Sequence, residues 1–140
     1  MSAEARGVLY LDASALVKLV LPEAESEALA ATLAGGAGLI TSTVGAIETR
    51  RALLAAGSDE ELAEEAEQVL AAVTLVGITE PIRQAAGTLR PALLRTLDAI
   101  HLATALSFGA ELEAFVVYDR RLAQAALAAG LEVRAPGAAS

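Results

Sequence analysis

The chain has 140 residues, is 55% apolar but only 3% aromatic, carries a formal charge of −8 and contains no cysteine. That length fits one domain spanning 1–140, with a core built mainly of Ala, Leu and Val. The lack of cysteine excludes disulfides, thiolate metal sites and a Cys nucleophile, and suits a reducing, cytoplasmic setting; the negative sum, taken alone, argues against a polyanion binder.

The opening MSAEARG carries charges of both signs, and no apolar segment of a secretory signal follows it directly. The longest apolar region, VLYLDASALVKLVL at 8–21, is broken by Asp12 and Lys18 and is too short to span a bilayer. A soluble protein with no membrane partner is therefore expected. GVLYLD (7–12) reads as a strand and SALVKLVL (14–21) as a helix ended by Pro22. ESEALAATLAGG (25–36) is a second helix, stopped by Gly35 and Gly36. GLITS (38–42) is a short strand, and VGAIETRRALLAAG (44–57) a helix ending at Gly57. Ser58 and Glu61 have the spacing of a capping box, which predicts a helix over 59–72. VTLVGI (73–78) is a strand and TEPIRQAAGTL (79–89) a helix with Pro81 in its first turn. RPALLR (90–95) is an irregular link before a helix over 96–108. AFVVYD (114–119) is a strand, RRLAQAALAAG (120–130) a helix and LEVRA (131–135) a last strand. The ordered core is expected over 7–135, followed by a flexible tail, PGAAS.

Strands separated by helices imply βαβ units: an α/β fold with a central parallel sheet of four to five strands and helices on both faces. In such sheets ligands bind beyond the carboxyl ends of the strands, at the switch in strand order. Two strands end in acids there: VLYLD in Asp12 and FVVYD in Asp119. Two more carboxylates stand in apolar helices, Glu48 in VGAIETRRALL and Asp98 in LDAIHLATAL. Each has an ordinary reading. Asp12 and Asp119 can cap helices, Glu48 can pair with Arg51, and Asp98 suits the first turn of its helix. Ser14 can cap the helix at 14–21 or hydrogen-bond a carboxylate. His101, the chain's lone histidine, lies one turn beyond Asp98, where it can orient a neighbour or touch a substrate.

The ordinary readings do not require four acids to share one end of a sheet. Carboxylates gathered without partners repel and raise one another's pKa. Divalent cations relieve that repulsion, and a donor set of hard oxygens with no cysteine points to Mg²⁺ or Mn²⁺ rather than Zn²⁺. The chemistry suited to such a centre is phosphodiester hydrolysis with an activated water and no protein nucleophile. The basic residues do not follow the negative sum. Lys18, Arg50, Arg51, Arg95, Arg120 and Arg121 lie close in sequence to the acids. The arginines are candidates for contacting RNA, Arg95 foremost.

LYLDASALVKL at 9–19, the Glu in AIETRRALL, RTLDAIHLATAL and VVYDRRL at 116–122 together resemble the PIN-domain family, most closely its bacterial VapC-type toxins. The likeness runs from about residue 8 to 134, and it rests on the order and spacing of all four motifs. It implies a three-layer α/β/α fold and a Mg²⁺- or Mn²⁺-dependent endoribonuclease. Its metal ligands would be the acids at the matching positions, Asp12, Glu48, Asp98 and Asp119. It also implies a homodimer restrained by a small VapB-type antitoxin, docking over the helices at 14–21 and 25–34. One departure is Val117, where many members carry Ser or Thr two residues before the last Asp. A hydroxyl that could assist a metal-bound water is missing there, which weakens the expectation of a second metal.

Two other classes were weighed. An aspartyl-phosphate phosphohydrolase or a receiver domain also places Asp after the first strand. The phosphatase signature needs a second Asp where this chain has Ser14, and a receiver needs a late Lys, whereas the sole lysine is Lys18. A PIN-like binding module with impaired catalysis is the other alternative. Val117 favours it and the retention of all four acids opposes it.

Overall fold

The structure, a computed structural model, describes residues 7–139. Its strands are β1 (Val8–Leu11), β2 (Gly38–Ser42), β3 (Thr74–Val76), β4 (Leu112–Val116) and β5 (Val133–Arg134). Among the described residues there are seven α-helices: α1 (Ala13–Lys18), α2 (Ser26–Leu33), α3 (Thr43–Ala55), α4 (Glu60–Ala71), α5 (Glu80–Thr88), α6 (Thr96–Leu106) and α7 (Arg120–Ala128). The strands form one five-stranded sheet in the order β3-β2-β1-β4-β5. Every pairing is parallel. The expected α/β architecture with a central parallel sheet is the one observed.

The sequence alternation of β1 and β4 divides the core into two layers, because successive side chains of a strand point to opposite faces. Leu9, Leu11, Ala114 and Val116 pack with Ala15 and Leu16 of α1, Leu29 of α2 and Leu70 of α4. Tyr10, Phe115 and Val117 face the other way, toward Leu102 and Ala105 of α6 and Leu122, Ala125 and Ala126 of α7. A smaller cluster of Val20, Leu53 and Ala66 ties α3 to α4. Tyr10 stacks on Phe115 with ring centroids 5.2 Å apart. The pair supplies the aromatic bulk of a core that is otherwise aliphatic.

The order 3-2-1-4-5 reverses direction between β1 and β4, since β1 leads to β2 on one side and neighbours β4 on the other. The residues just after β1 and β4 therefore border the crevice where such sheets bind ligands. The cross-link at this point is local. Asp12 N–H donates to Val116 O at 3.3 Å, and Tyr118 N–H donates to Ser14 Oγ at 2.9 Å.

Several details differ from the sequence reading. The first helix stops at Lys18, not at 21. The Ser26 hydroxyl donates to Lys18 O at 2.7 Å, and Lys18 Nζ reaches Glu23 and Glu25, so the chain folds back over the helix end. The capping box at Ser58 is corrected: Asp59 is the N-cap of α4, accepting from Leu62 N–H at 2.9 Å. The fourth strand ends at Val116, three residues before Asp119, and the last strand is only two residues long. The segment after 135, read as a flexible tail, is held in place: Tyr118 O–H donates to Pro136 O at 2.7 Å. Ala138 N–H closes a turn onto Ala135 O at 3.0 Å. Among the described residues no helix is long and apolar enough to cross a membrane.

Leu102 is fully buried between α6 and the sheet. Leu102→Ala is expected to lower unfolding free energy by about 2–5 kcal/mol through lost burial and a residual cavity. Chemical denaturation against the unsubstituted chain measures this directly.

Candidate functional site

Asp12 follows β1 in extended backbone and is 5% exposed. Its Oδ1 accepts from Ala15 N–H at 3.1 Å, which caps α1, and from the Ser14 hydroxyl at 2.6 Å. The Ser14 hydroxyl in turn accepts from Tyr118 N–H. One serine thus fixes the carboxylate and joins the segments after β1 and β4. Ser14 binds a carboxylate, and the cap is Asp12.

Asp119 caps α7 through Oδ1, which accepts from Leu122 N–H at 2.9 Å, and leaves Oδ2 toward the crevice rim. Asp98 lies in the first turn of α6 with its side chain mostly covered. Arg95, at the N-cap position of the same helix, stands between these acids: Nε is 3.5 Å from Asp98 Oδ2 and Nη2 is 3.7 Å from Asp119 Oδ2. Its side chain is 70% exposed, so the pairing is loose and solvent-screened.

Glu48 projects from α3 toward α6, where its Oε1 lies 2.5 Å from His101 Nε2. The other ring nitrogen of His101 lies 2.6 Å from Tyr10 Oη, and that oxygen accepts from Ser42 N–H at 3.0 Å. Glu48 therefore does not pair with Arg51, the ordinary reading from spacing. Sequence reasoning missed this chain of contacts. The available signals were a lone histidine in an apolar helix and a tyrosine on the α6-facing side of β1.

The electrostatics bind the four acids into one set. Burial pushes the Asp12 carboxyl up to about 6, with Glu48 adding to the rise and the Ser14 and Ala15 donors opposing it. Burial also raises Asp98; Arg95 opposes that shift, and the charges of Asp119 and Glu48 reinforce it. Asp12 thus feels Glu48, and Asp98 feels Asp119 and Glu48. Among the described residues no three Asp, Glu or His side chains are already drawn together as an ion-binding group. The donors present are nonetheless all carboxylate and hydroxyl oxygens on one crevice, a chemistry that fits Mg²⁺ or Mn²⁺.

The predicted basic residues divide. Arg95 is in the site. Arg50 instead makes a two-pronged pair with Glu67 of α4, at 2.7 and 2.8 Å. Arg121 lines a groove of about 540 Å³ with Arg90, Arg95, Asp98 and Gln124, floored by Leu94 and Ala125. Arg51, Arg90, Arg120 and Arg121 make no ion pair among the described residues. A second groove of about 500 Å³ leads from Glu48 and Asp119 along α1 to Lys18. Val117 is fully buried against Tyr10, Phe115 and Leu122. Its side chain belongs to the core, and the hydroxyl that touches an acid is that of Ser14.

Comparison with known proteins follows the same lines. Residues 9–128 match the PIN domain family. Ribonuclease VapC35 of Mycobacterium tuberculosis is 46% identical over 136 residues, covering 94% of this chain and 99% of that protein. Ribonuclease VapC46 of the same organism is 41% identical, covering 91% and 97%. Among solved structures, M. tuberculosis VapC20, a Sarcin-Ricin loop cleaving toxin, superposes with a TM-score of 0.70 at 18% identity, covering 88% of this chain and 95% of that one. VapBC2 from Rickettsia felis, bound to a DNA fragment from its promoter, gives 0.70 at 12% identity, covering 91% and 97%.

The raised Asp12 value has a stability consequence. Between about 4 and about 6 the folded state holds a proton on Asp12 that the unfolded chain has released, so metal-free stability falls as pH rises through that window. The contribution is at most ~3 kcal/mol. Asp12→Asn, which keeps an oxygen for Ser14 and Ala15, is expected to flatten this slope and to raise the metal-free melting temperature at pH 7.5. Melting curves of both proteins in EDTA across pH 4–8 test it; parallel curves would refute the assignment.

Proposed function

The chain belongs to the PIN-domain family and is a VapC-type ribonuclease toxin, and we propose that it cleaves RNA with Mg²⁺ or Mn²⁺ held by Asp12, Glu48, Asp98 and Asp119. What supports this reading is the electrostatic coupling beside the β1/β4 switch: Asp12, buried and shifted to about 6, feels the charge of Glu48, and Asp98 feels those of Asp119 and Glu48. A bound divalent ion would supply Lewis acidity toward water and a phosphate oxygen.

The chain's own residues do the rest. Ser14 and Ala15 N–H hold Asp12 in one orientation, so that little side-chain entropy remains to be lost when it takes a ligand. Arg95 pairs only loosely with Asp98 and Asp119 and is mostly exposed, so its guanidinium would be available to a phosphodiester oxygen when those acids hold the ion. Arg120 and Arg121, which make no ion pair among the described residues, start α7 beside Asp119, with Arg121 lining the same groove as Arg95, and Arg51 stands on α3 three residues from Glu48. The groove floored by Leu94 and Ala125 gives the neighbouring nucleotide an apolar bed beside Arg90 and Arg121. RNA binding by a chain of net charge −8 then depends on local arginines, not on the overall field.

The toxin reading brings partners. A VapB-type antitoxin would follow the groove from the acids along α1, where Lys18 lies 4.8 Å above the Tyr118 ring. One solved structure of this fold is a toxin–antitoxin complex from Klebsiella pneumoniae, with a TM-score of 0.64. Exposed Ile47 and Leu54 on α3, with Leu93 in the link before α6 and Leu97 in its first turn, offer apolar surface for a homodimer or the antitoxin. Such a protein acts in the cytoplasm.

Asp12→Asn and Asp98→Asn are each expected to reduce RNA cleavage by about two orders of magnitude or more, because the ion supplies several kcal/mol of barrier lowering. Circular dichroism should show both variants folded, and EDTA should abolish activity that Mn²⁺ restores. Undiminished cleavage in EDTA, or in either variant, would overturn the proposal.

A further inference from the structure

We infer that Tyr10 and His101 form a positioning pair for Glu48, holding one of its oxygens through the imidazole Nε2 so that the other is presented to the cation. The inference rests on the role given to Glu48 above, but the hydrogen-bond logic stands on the fold alone.

That logic begins at a backbone amide. Ser42 N–H can only donate, and it donates to Tyr10 Oη. The phenol proton must then go to another acceptor. His101 Nδ1 lies 2.6 Å away and takes it at hydrogen-bond distance, whereas the neighbouring Thr41 hydroxyl, which also acts on the phenol, meets no hydrogen-bond geometry with it. A phenol O–H that donates to Nδ1 requires that nitrogen to be the acceptor, and the ring's own proton then resides on Nε2. Nε2–H donates to Glu48 Oε1 at 2.5 Å. All the donors therefore run in one direction, from Ser42 through Tyr10 and His101 to the carboxylate. Burial raises the Tyr10 phenol well above its ordinary value, so it keeps its proton at neutral pH.

The packing leaves the imidazole little freedom. His101 is 1% exposed, and Tyr10 meets it edge-on with centroids 5.7 Å apart and planes at 82°. On its other side α3 comes close at Gly45, three residues before Glu48. A Cβ at Gly45 would lie 3.2 Å from His101 Cε1 and 2.4 Å from Thr41 Oγ1. The absence of a side chain at 45 lets helix and ring approach. A neutral donor also suits this rim better than lysine or arginine: it steadies Glu48 without adding positive charge that would oppose a cation. A ligating carboxylate oriented in this way gains affinity from its outer partner.

The test uses the full chain labelled with ¹⁵N-histidine, without metal, in two-bond ¹H–¹⁵N spectra at pH 7.5. The expected pattern is the Nε2–H tautomer, converting to a tautomer mixture in Tyr10→Phe. An Nδ1–H or doubly protonated ring in the unsubstituted chain would overturn the inference whatever the protein's activity. Mn²⁺ binding followed by electron paramagnetic resonance supplies the second readout. His101→Leu should weaken binding about ten-fold or more, and His101→Gln, whose amide can donate to Glu48, should bring it back to within about three-fold. Undiminished binding in the Leu variant, or equal loss in both, would show that His101 only fills space. If the unsubstituted chain binds no Mn²⁺, the metal-dependent reading fails, and the tautomer spectrum still decides the hydrogen-bond chain.

Discussion

Burial of acidic side chains beside the carboxyl ends of β1 and β4 is the constraint around which the rest of the structure is arranged. Four acids share one rim in a chain whose charge is already −8. Burial of Asp12 and Asp98 raises the energy of their ionised forms further. A rim of this kind persists only if the rest of the fold offsets the strain, and each acid has its own device. Asp12 has Ser14 and a helix amide, Asp119 has the first turn of α7, Asp98 has Arg95, and Glu48 has His101. None of these partners neutralises its acid completely. The residual instability is what a divalent cation can relieve, so the energetics of the empty fold and of ligand binding are linked.

The ordinary reading of two of the acids is observed, and it is compatible with the functional one proposed. Asp12 and Asp119 are both N-caps, as their positions before helices suggest, and both stand on the crevice. Capping uses Oδ1 of each residue. The remaining oxygen is left for other work, and the cap removes side-chain freedom that would weaken a metal ligand. A capping aspartate at the end of a parallel strand is already half-organised as a ligand, which helps explain how a short sequence motif such as LYLDAS can carry both roles.

Much of the fold is visible in the sequence because its causes are local. The apolar runs VLYL and AFVV mark strands buried on both faces, and Gly57, at φ 80°, ends α3 where the pattern breaks. Elements that depend on competition between neighbours were read less well. Ser58 and Asp59 are both good caps, and the Glu61 spacing favours Ser58. The backbone settles on Asp59, whose φ of −96° and ψ of −176° aim its carboxylate at Leu62 N–H. The early end of α1 is likewise set by Ser26, eight residues away. Contacts between distant segments were out of reach. His101 and Glu48 are separated by 53 residues, and His101 and Tyr10 by 91. Periodicity tells which face of a helix is buried but not which side chain waits on the other side.

The same distinction bears on how the site is built. The acids themselves are read from four short motifs, each on its own element, while their orientations depend on groups from elsewhere in the chain. Ser14 links the segments after β1 and β4, and Tyr10 sends a hydrogen-bond chain from β1 through α6 to α3. Because these links cross the switch point of the sheet, the crevice cannot open without breaking them. Under the metal-dependent reading proposed above, rigidity at this position would serve ligation. Hard cations discriminate among oxygen donors by distance and number, and carboxylates that must each be ordered on binding give up affinity to entropy. A core almost without aromatic residues concentrates two of its four aromatic rings, Tyr10 and Phe115, under this rim. Their stack supports the imidazole, the imidazole steadies Glu48, and the stiffest part of an aliphatic core thereby underlies the acids.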